Sequence, residues 1–176
     1  MAKIIKMPGL EMYYIRVLIP YWEEMSDIPM ETSPYRIIAV LPETPLNELG
    51  SLIIDAFEFD HDHLFGFYDN FKGWNRSKIG YEFMESDDEE LDDDIFSYQN
   101  RVSDKKIFNI EKFTVGDIFL RKGKKWLMLY DYGDEWNFWV SLVDKSKIVP
   151  SITYDRIVES KFDAPQQYPD FNEDNF

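Results

Sequence analysis

The chain contains no cysteine, only two histidines, and no apolar run close to the ~20 residues that span a bilayer. Without cysteine there is no disulfide framework, thiol nucleophile or cysteine-based zinc site, which fits a cytoplasmic protein. The N-terminus carries lysines but not the apolar stretch of a secretory signal, so neither export nor membrane insertion is expected. Gly-x-Gly, Walker and Gly-x-Ser-x-Gly sequences are also missing, and no catalytic residue, enzyme class or cofactor is predicted.

Acidic residues are abundant and unevenly distributed. The 176 residues include 34 Asp and Glu against 19 Lys and Arg, a formal net charge of −15. Residues 85–94 alone hold eight acidic and no basic side chains. Like charges in a block repel one another and stay solvated, so we expect an acidic, partly flexible insertion at 70–104 and a Pro-rich acidic tail at 159–176. The one basic run is 121–125, and direct nucleic-acid binding is therefore not expected.

Local patterns predict one main helix and several strands. After Pro42, Thr44 is predicted as the cap and Pro45 as the first helical residue, and apolar side chains recur at helical spacing as far as Phe57. Gly50 lies inside this helix and allows close packing on a sheet. A capping threonine, Thr114, opens a second, short helix. Apolar and β-branched runs predict strands at 13–19, 36–41, 64–68, 106–110, 125–130 and 136–143.

The last two predicted strands flank a hairpin with the sequence Asp-Tyr-Gly-Asp at 131–134. Gly133 is predicted to take the positive φ that tight hairpin loops require, and the aspartates are predicted to bond the turn amides. The order of the elements predicts a single α+β domain over residues 1–176. Its single mixed β-sheet has one main helix packed across it, in a β-grasp-like arrangement.

Two segments carry a family resemblance. Residues 42–67 (PETPLNELGSLIIDAFEFDHDHLFGF) and 129–136 (LYDYGDEW) resemble the helix, "HLxxF" and "YDFGDxW" motifs of the plasmid pRiA4b ORF-3-like family. Residues 34–36 stand where that family has a "WRR" strand start, and 164–168 (APQQY) echo its Pro-rich C-terminal segment. The resemblance implies the family's fold and an association with mobile elements, but no mechanism.

The chain departs from the family pattern at several positions. The resemblance implies histidines at the positions of Gly50, Phe65 and Phe138 beside His63, and a tryptophan at Phe59. Only His63 is retained, which weighs against catalysis.

His61 and His63 are the candidate metal ligands, although no metal site is assigned. Alternating side chains in an extended segment would place both on one face, where Asp131 or Asp134 could complete a site for zinc or manganese. The alternative is that Asp60 or Asp62 caps the turn and His63 makes a structural hydrogen bond. Asp131 and Asp134 are likewise either an acid–base pair or ligands of the turn amides.

The residues selected as a candidate ligand or partner site are His63, Asp131, Tyr132, Asp134 and Trp136. Aromatic side chains near this hairpin could form a protein-binding hot spot. The first hypothesis is a non-enzymatic interaction or regulatory module for an unknown protein partner, with its acidic charge steering it towards a basic one. The alternatives are a metal-assisted, hydrolase-like activity using His61, His63, Asp131 and Asp134, and an accessory protein of a mobile element. The oligomeric state stays open.

Overall fold

The computed structural model describes residues 11–20, 32–84, 105–147 and 156–168. The acidic run at 85–94, the rest of the predicted insertion as far as 104, and the tail from 169 onwards lie outside these residues. The described helices are α1 (Leu46–Ala56) and α2 (Val115–Ile118), with 3-10 turns at Trp74–Arg76 and Ile110–Lys112. The described strands are β1 (Glu11–Leu18), β2 (Tyr35–Val40), β3 (Phe65–Tyr68), β4 (Ile79–Glu82), β5 (Lys106–Asn109), β6 (Lys125–Tyr130), β7 (Trp136–Lys147) and β8 (Arg156–Lys161).

These strands form one eight-stranded sheet in the order β5-β4-β3-β6-β7-β1-β2-β8. The β4–β5 pair is parallel and every other pair is antiparallel. The predicted α+β architecture, a single mixed sheet with one main helix, is therefore confirmed. The six predicted strands are all present to within a few residues, and β7 continues four residues beyond its predicted end.

The main core lies between α1 and one face of the sheet. Alternate residues of the central strands, such as Ile15 and Phe138, point into this core and are fully buried, as are Leu49 and Ile53 of α1. A smaller cluster lies on the opposite face, formed by Tyr68, Leu127 and Leu129 with partly buried aromatic side chains around it. Trp139 belongs to this second cluster, which explains the aromatic residue on the otherwise polar side of β7.

The start of α1 differs from the prediction. Pro45 occupies the N-cap position without a capping side chain, and the helix begins at Leu46. The Leu46 amide donates to the Phe113 carbonyl at 2.8 Å, and Pro45 forms a β-bridge with Thr114. The segment at Phe113 and Thr114, distant in sequence, thus accepts the hydrogen bond of the first helical amide. Thr114 is the N-cap residue of α2, as predicted, and forms a capping box with Asp117, whose Oδ2 accepts from the Thr114 amide and hydroxyl at 2.7 and 2.8 Å.

The hairpin turn also corrects the prediction, because Gly133 does not supply the positive φ. Asp131 (φ 55°) and Glu135 (φ 53°) adopt it instead. The Gly133 amide donates to Asp131 Oδ1 at 2.8 Å, and a Cβ atom on Gly133 would lie 3.2 Å from that oxygen. The missing side chain therefore makes room for the Asp131 carboxylate.

Two segments in which no strand was predicted contribute strands. Residues 79–82 of the predicted 70–104 insertion form β4, between β3 and β5. Residues 159–161 of the predicted tail belong to β8, an edge strand. Neither segment, IGYE in β4 or RIVESK in β8, contains the longer apolar or β-branched run that predicted the other strands.

Candidate functional site

His63 lies between two carboxylates at one end of the sheet, just before β3. Its Nδ1 is 2.9 Å from Asp62 Oδ1 and 3.6 Å from Asp131 Oδ2. The imidazole remains 42% exposed, whereas the Asp131 carboxylate is only 7% exposed. A backbone hydrogen bond of 3.1 Å from the Asp131 amide to the Leu64 carbonyl connects the two segments. The structure therefore brings together two of the candidate residues, His63 and Asp131.

Asp62 is the centre of a hydrogen-bond network. Its Oδ1 accepts from the Tyr130 hydroxyl at 2.7 Å, and its Oδ2 accepts from the Tyr168 hydroxyl at 2.5 Å. These hydroxyl donors, followed by His63, lower the pKa of the Asp62 carboxyl well below its usual range. The hydrogen bond to Asp62 in turn raises the pKa of His63 above its ordinary value, against an opposing contribution from burial. The Asp62–His63 pair thus favours an ionised carboxylate beside an imidazolium.

Gln167 attaches the C-terminal segment to this network. Its Oε1 accepts from the Asp60 amide at 2.7 Å. Its buried Nε2 donates to the Tyr168 hydroxyl at 3.0 Å and to Asp62 Oδ1 at 3.3 Å. The Tyr130 hydroxyl shares its one proton between Asp62 Oδ1 and the Asp60 carbonyl, which also lies within hydrogen-bond distance. We call Asp62, His63, Tyr130, Gln167 and Tyr168 the Asp62 network.

Sequence reasoning missed most of the Asp62 network. Of its members, only His63 is among the residues selected from the sequence as the candidate site. The available signal was the APQQY stretch at 164–168, which contains Gln167 and Tyr168. Gln167 lies more than a hundred residues from Asp62 in sequence, and no local pattern connects them.

The remaining candidate residues make no hydrogen bond to the Asp62 network among the described residues. Asp134 reaches Asp131 only through its backbone, with its amide 3.3 Å from Asp131 Oδ1. Trp136 packs edge-on against Phe59, with ring centroids 4.8 Å apart. The Tyr132 hydroxyl lies 2.7 Å from that of Tyr68, and burial raises the pKa of Tyr132 to about 12.

Tyr132 belongs to a second polar cluster, on the sheet face opposite α1. Tyr68 donates to Glu82 Oε1 at 2.6 Å. The Lys105 ammonium lies 4.3 Å from the Tyr68 ring centroid and 4.8 Å from that of Trp74. Burial lowers the pKa of Lys105. Lys105 therefore makes cation–π contacts with the two rings and lies beside the Glu82 carboxylate.

The two histidines do not converge. His61 Nε2 bonds to Asp55 Oδ1 of α1 at 2.7 Å, and His63 directs Nδ1 rather than Nε2 towards the aspartates. Within the part of the chain that the structure describes, no group of three or more histidine and acidic side chains is arranged to hold a metal ion.

The positions where the resemblance implies histidines are filled by apolar packing. Phe65 and Gly50 are in contact beneath α1: a Cβ atom on Gly50 would lie 2.0 Å from Phe65 Cε2. Phe138 packs against Phe57 and Phe59, with centroid separations of 5.3 and 5.8 Å. These phenylalanines are all buried.

Comparisons with known proteins agree with the sequence resemblance. The sequence model described as "Plasmid pRiA4b ORF-3-like protein" matches residues 29–168. No curated protein matches the chain. A crystal structure of a protein of unknown function, MM3350 from Methanosarcina mazei Go1, is similar in fold, with a TM-score of 0.61 and 19% sequence identity. The match covers 89% of this chain and 72% of that one. In the ranges that the structure covers, none of the helices has the length and apolar character needed to cross a membrane.

Proposed function

The chain belongs to the plasmid pRiA4b ORF-3-like family, and we propose that it acts as a non-enzymatic module that binds a protein partner. The candidate contact surface is the exposed side of the Asp62 network with the adjoining residue Leu64. Of the predicted site at His63, Asp131 and the hairpin, His63 belongs to this surface, and the Asp131 carboxylate lies beside it.

The observation that carries the proposal is an exposed tyrosine held in one position. Tyr168 is 44% exposed, yet its hydroxyl bonds to Asp62 and accepts from Gln167. Leu64, adjacent to His63 in sequence, is 61% exposed. A rigid aromatic side chain loses little conformational entropy on binding, and tyrosine is enriched among the residues that dominate protein interfaces.

The apolar packing at Gly50, Phe65 and Phe138 supports a role without catalysis. Buried rings fill the places where the resemblance implies imidazoles. A buried phenylalanine neither transfers a proton nor ligates a metal. This packing stabilises the sheet beneath the proposed surface.

The charge around the surface indicates the chemistry of the partner. Asp62, Asp131 and Asp134 all lie near His63 and act on its pKa, and the whole chain has a formal charge of −15. Such a field attracts positively charged partners and accelerates their association. We therefore propose a partner that presents lysine or arginine side chains beside an apolar residue.

The metal-assisted alternative retains one supporting observation, the position of His63 between Asp62 and Asp131. His61, its proposed second histidine, bonds to Asp55 instead. Elemental analysis of untagged protein, with thermal melts in added Zn²⁺ or Mn²⁺, separates the two hypotheses. The interaction proposal expects no stoichiometric metal and no change in Tm. A bound ion whose stabilisation disappears in His63→Ala favours the alternative.

The β-grasp-like description, the acidic insertion at 70–104, the cytoplasmic location and a mobile-element association remain predictions. Neither catalysis nor direct nucleic-acid binding forms part of the proposed role.

Partner capture from the source cell with matched variants tests the proposal. Tyr168→Ala and Leu64→Asp change the proposed surface, and Leu120→Asp changes a distant residue that is 72% exposed. A protein that the wild type and Leu120→Asp retain, and that both surface variants lose while remaining folded by circular dichroism, is the expected result. Equal retention by all folded variants contradicts the proposed surface.

A further inference from the structure

The connection between β3 and β4, residues 69–78, folds over the sheet face opposite α1. Its Phe71 and Trp74 side chains pack against the smaller apolar cluster of that face. Asn70 holds the two ends of the connection together, because its amide donates to Ser77 Oγ at 3.2 Å. The connection therefore has a defined position on this face of the sheet.

Basic side chains from three segments of the chain meet around this connection. They are Lys72, Arg76 and Lys78 of the connection, Lys106 at the start of β5 and Lys125 at the start of β6, and we call them the basic patch. All five side chains are exposed. The Lys106 amide donates to the Lys78 carbonyl at 2.8 Å, and the Lys125 ammonium lies 5.0 Å from the Phe71 ring centroid. The sheet topology thus collects cations that are scattered in sequence.

The charges of the basic patch are not neutralised by the described part of the chain. Within the described ranges, none of its five side chains forms an ion pair. Asp69 is the acidic residue of the connection, and its Oδ1 accepts from the amides of Lys78 and Ile79 at 2.9 and 3.2 Å. Five positive charges are therefore available to an anionic ligand.

The described part of the chain is nearly neutral and has an acidic end and a basic end. It includes 16 of the 19 basic residues and 17 of the 34 acidic ones. β6 begins in the basic patch at Lys125 and ends in the Asp62 network at Tyr130, which separates the two by ~17 Å along the strand. This separation exceeds the Debye length of ~8 Å at physiological ionic strength. The two ends therefore act on their ligands separately.

Partly buried aromatic rings lie among the cations. Lys125 lies over the ring of Phe71, and the Lys105 ammonium is 4.8 Å from the ring centroid of Trp74. Surfaces that bind single-stranded nucleic acid combine cations, which contact the phosphates, with aromatic rings on which bases stack. An acidic peptide has no bases to place on these rings. The combination therefore favours a nucleic-acid strand over an acidic protein as the ligand.

We propose that the basic patch, together with Phe71 and Trp74, is a binding site for single-stranded nucleic acid. The five cations contact the phosphates, and a base stacks on Phe71. The expectation against such binding rested on the one contiguous basic run at 121–125, whereas the basic patch joins residues more than fifty positions apart in sequence. This activity lies outside the protein-binding role proposed above, because it uses the opposite end of the sheet.

Fluorescence anisotropy of the intact chain with a labelled single-stranded thymidine oligonucleotide of ~15 nucleotides tests the proposal. We expect saturable binding with a Kd of ~1–10 μM at low salt. Each phosphate contact contributes ~0.7 to the slope of log Kd against log salt concentration, so four or five contacts predict a slope of ~3. The absence of saturable binding by the folded wild type at ~100 μM protein overturns the proposal.

Matched variants test which side chains bind the oligonucleotide. Lys72→Gln with Arg76→Gln should weaken binding at least ~10-fold at low salt and reduce the salt slope by ~1.4, the value for two phosphate contacts. Lys147→Gln with Lys161→Gln removes two exposed cations outside the patch and is the control with the same net charge. Phe71→Leu retains an apolar side chain but removes the ring, and should weaken binding at least ~5-fold. An equal loss in the control pair, or no loss in the patch pair, overturns the proposal.

Two further measurements decide the class of ligand and the independence of the site. Polyglutamate that displaces the oligonucleotide at equal charge concentration, or a duplex of the same length that binds more tightly, overturns the assignment to single-stranded nucleic acid. Tyr168→Ala, which changes the proposed protein-binding surface, should bind the oligonucleotide as tightly as the wild type. A loss of binding in that variant while it remains folded contradicts the location at the basic patch.

Discussion

The Phe65 ring lies directly against Gly50, so that a Cβ atom at residue 50 would come within 2.0 Å of Phe65 Cε2. This contact gives the helix glycine its packing role. Gly50→Ala would gain up to ~1 kcal/mol of helix propensity. The overlap with a buried ring costs ~1–3 kcal/mol, because neither the sheet nor α1 can move away freely.

We therefore expect Gly50→Ala to lower the free energy of unfolding by up to ~2 kcal/mol, measured by urea titration. In a Phe65→Leu background, the same substitution should cost less, because the smaller side chain leaves space for the methyl group. A stabilised Gly50→Ala protein would show that the ring repacks without strain.

Arg36 connects three elements from a buried position at the start of β2. Its Nε donates to the Ala56 carbonyl at the end of α1 at 2.9 Å, and its Nη1 donates to Lys161 and Phe162. A lysine cannot reproduce this planar set of donors, and hydrogen bonds to charged groups contribute ~1.5–3 kcal/mol each. Arg36→Lys should destabilise the protein by at least ~1.5 kcal/mol in chemical denaturation. Arg16→Lys, at an exposed position of β1, is the matched control and should change stability by less than ~0.5 kcal/mol.

Asp131 supports the hairpin through its side chain and its backbone conformation. Oδ1 accepts from the amides of Gly133 and Asp134, and φ is positive. Asparagine retains the acceptor and tolerates this conformation, whereas alanine does neither. Asp131→Ala should therefore cost ~2 kcal/mol, from two hydrogen bonds of ~0.5–1.5 kcal/mol each, and Asp131→Asn less than half as much. Thermal or urea unfolding of the two variants side by side decides this. Equal losses would place the main role of Asp131 in its charge opposite His63.

The Asp62–His63 pair predicts that the stability of the protein depends on pH. Its contribution declines at low pH through Asp62 and at high pH through His63. The pKa of Asp62 is lowered in the folded state, so its contribution is present above its unfolded pKa of ~3.9 and declines as the pH falls further. The pKa of His63 is raised, so its contribution is complete below ~6.5 and declines as the pH rises through the folded pKa. We expect the stability difference between wild type and His63→Gln to be larger at pH 5 than at pH 9. Urea midpoints across this range, with Asp62→Asn at pH 3–5, measure both effects. A difference that is constant with pH would exclude linkage at His63.

The local elements of the fold were predictable because each depends on neighbours in sequence. The hairpin strands β6 and β7, the helix from Leu46 and the cap at Thr114 follow from side-chain period and capping chemistry. The start of α1 was misplaced, since the Leu46 amide bonds to Phe113 rather than to a capping side chain. The positive φ was assigned to the wrong hairpin residue. Asp131 and Glu135 adopt it, whereas Gly133 donates its amide to the Asp131 carboxylate and leaves space for it. β4 and β8 were missed, since neither segment has the longer apolar or β-branched run that predicted the other strands.

The sequence by itself determined the family, the single mixed sheet with its main helix and the acidic charge, and it predicted the His63–hairpin region as the candidate site. Only the tertiary structure decided which side chains meet there. It placed Gln167 and Tyr168 on Asp62, turned His61 towards Asp55, and placed Tyr132 with Tyr68 on the opposite face of the sheet. The physical reason is the separation in sequence between the residues that interact. Periodicity and capping act over a few residues, whereas a hydrogen bond between residues a hundred positions apart forms only after the chain has packed.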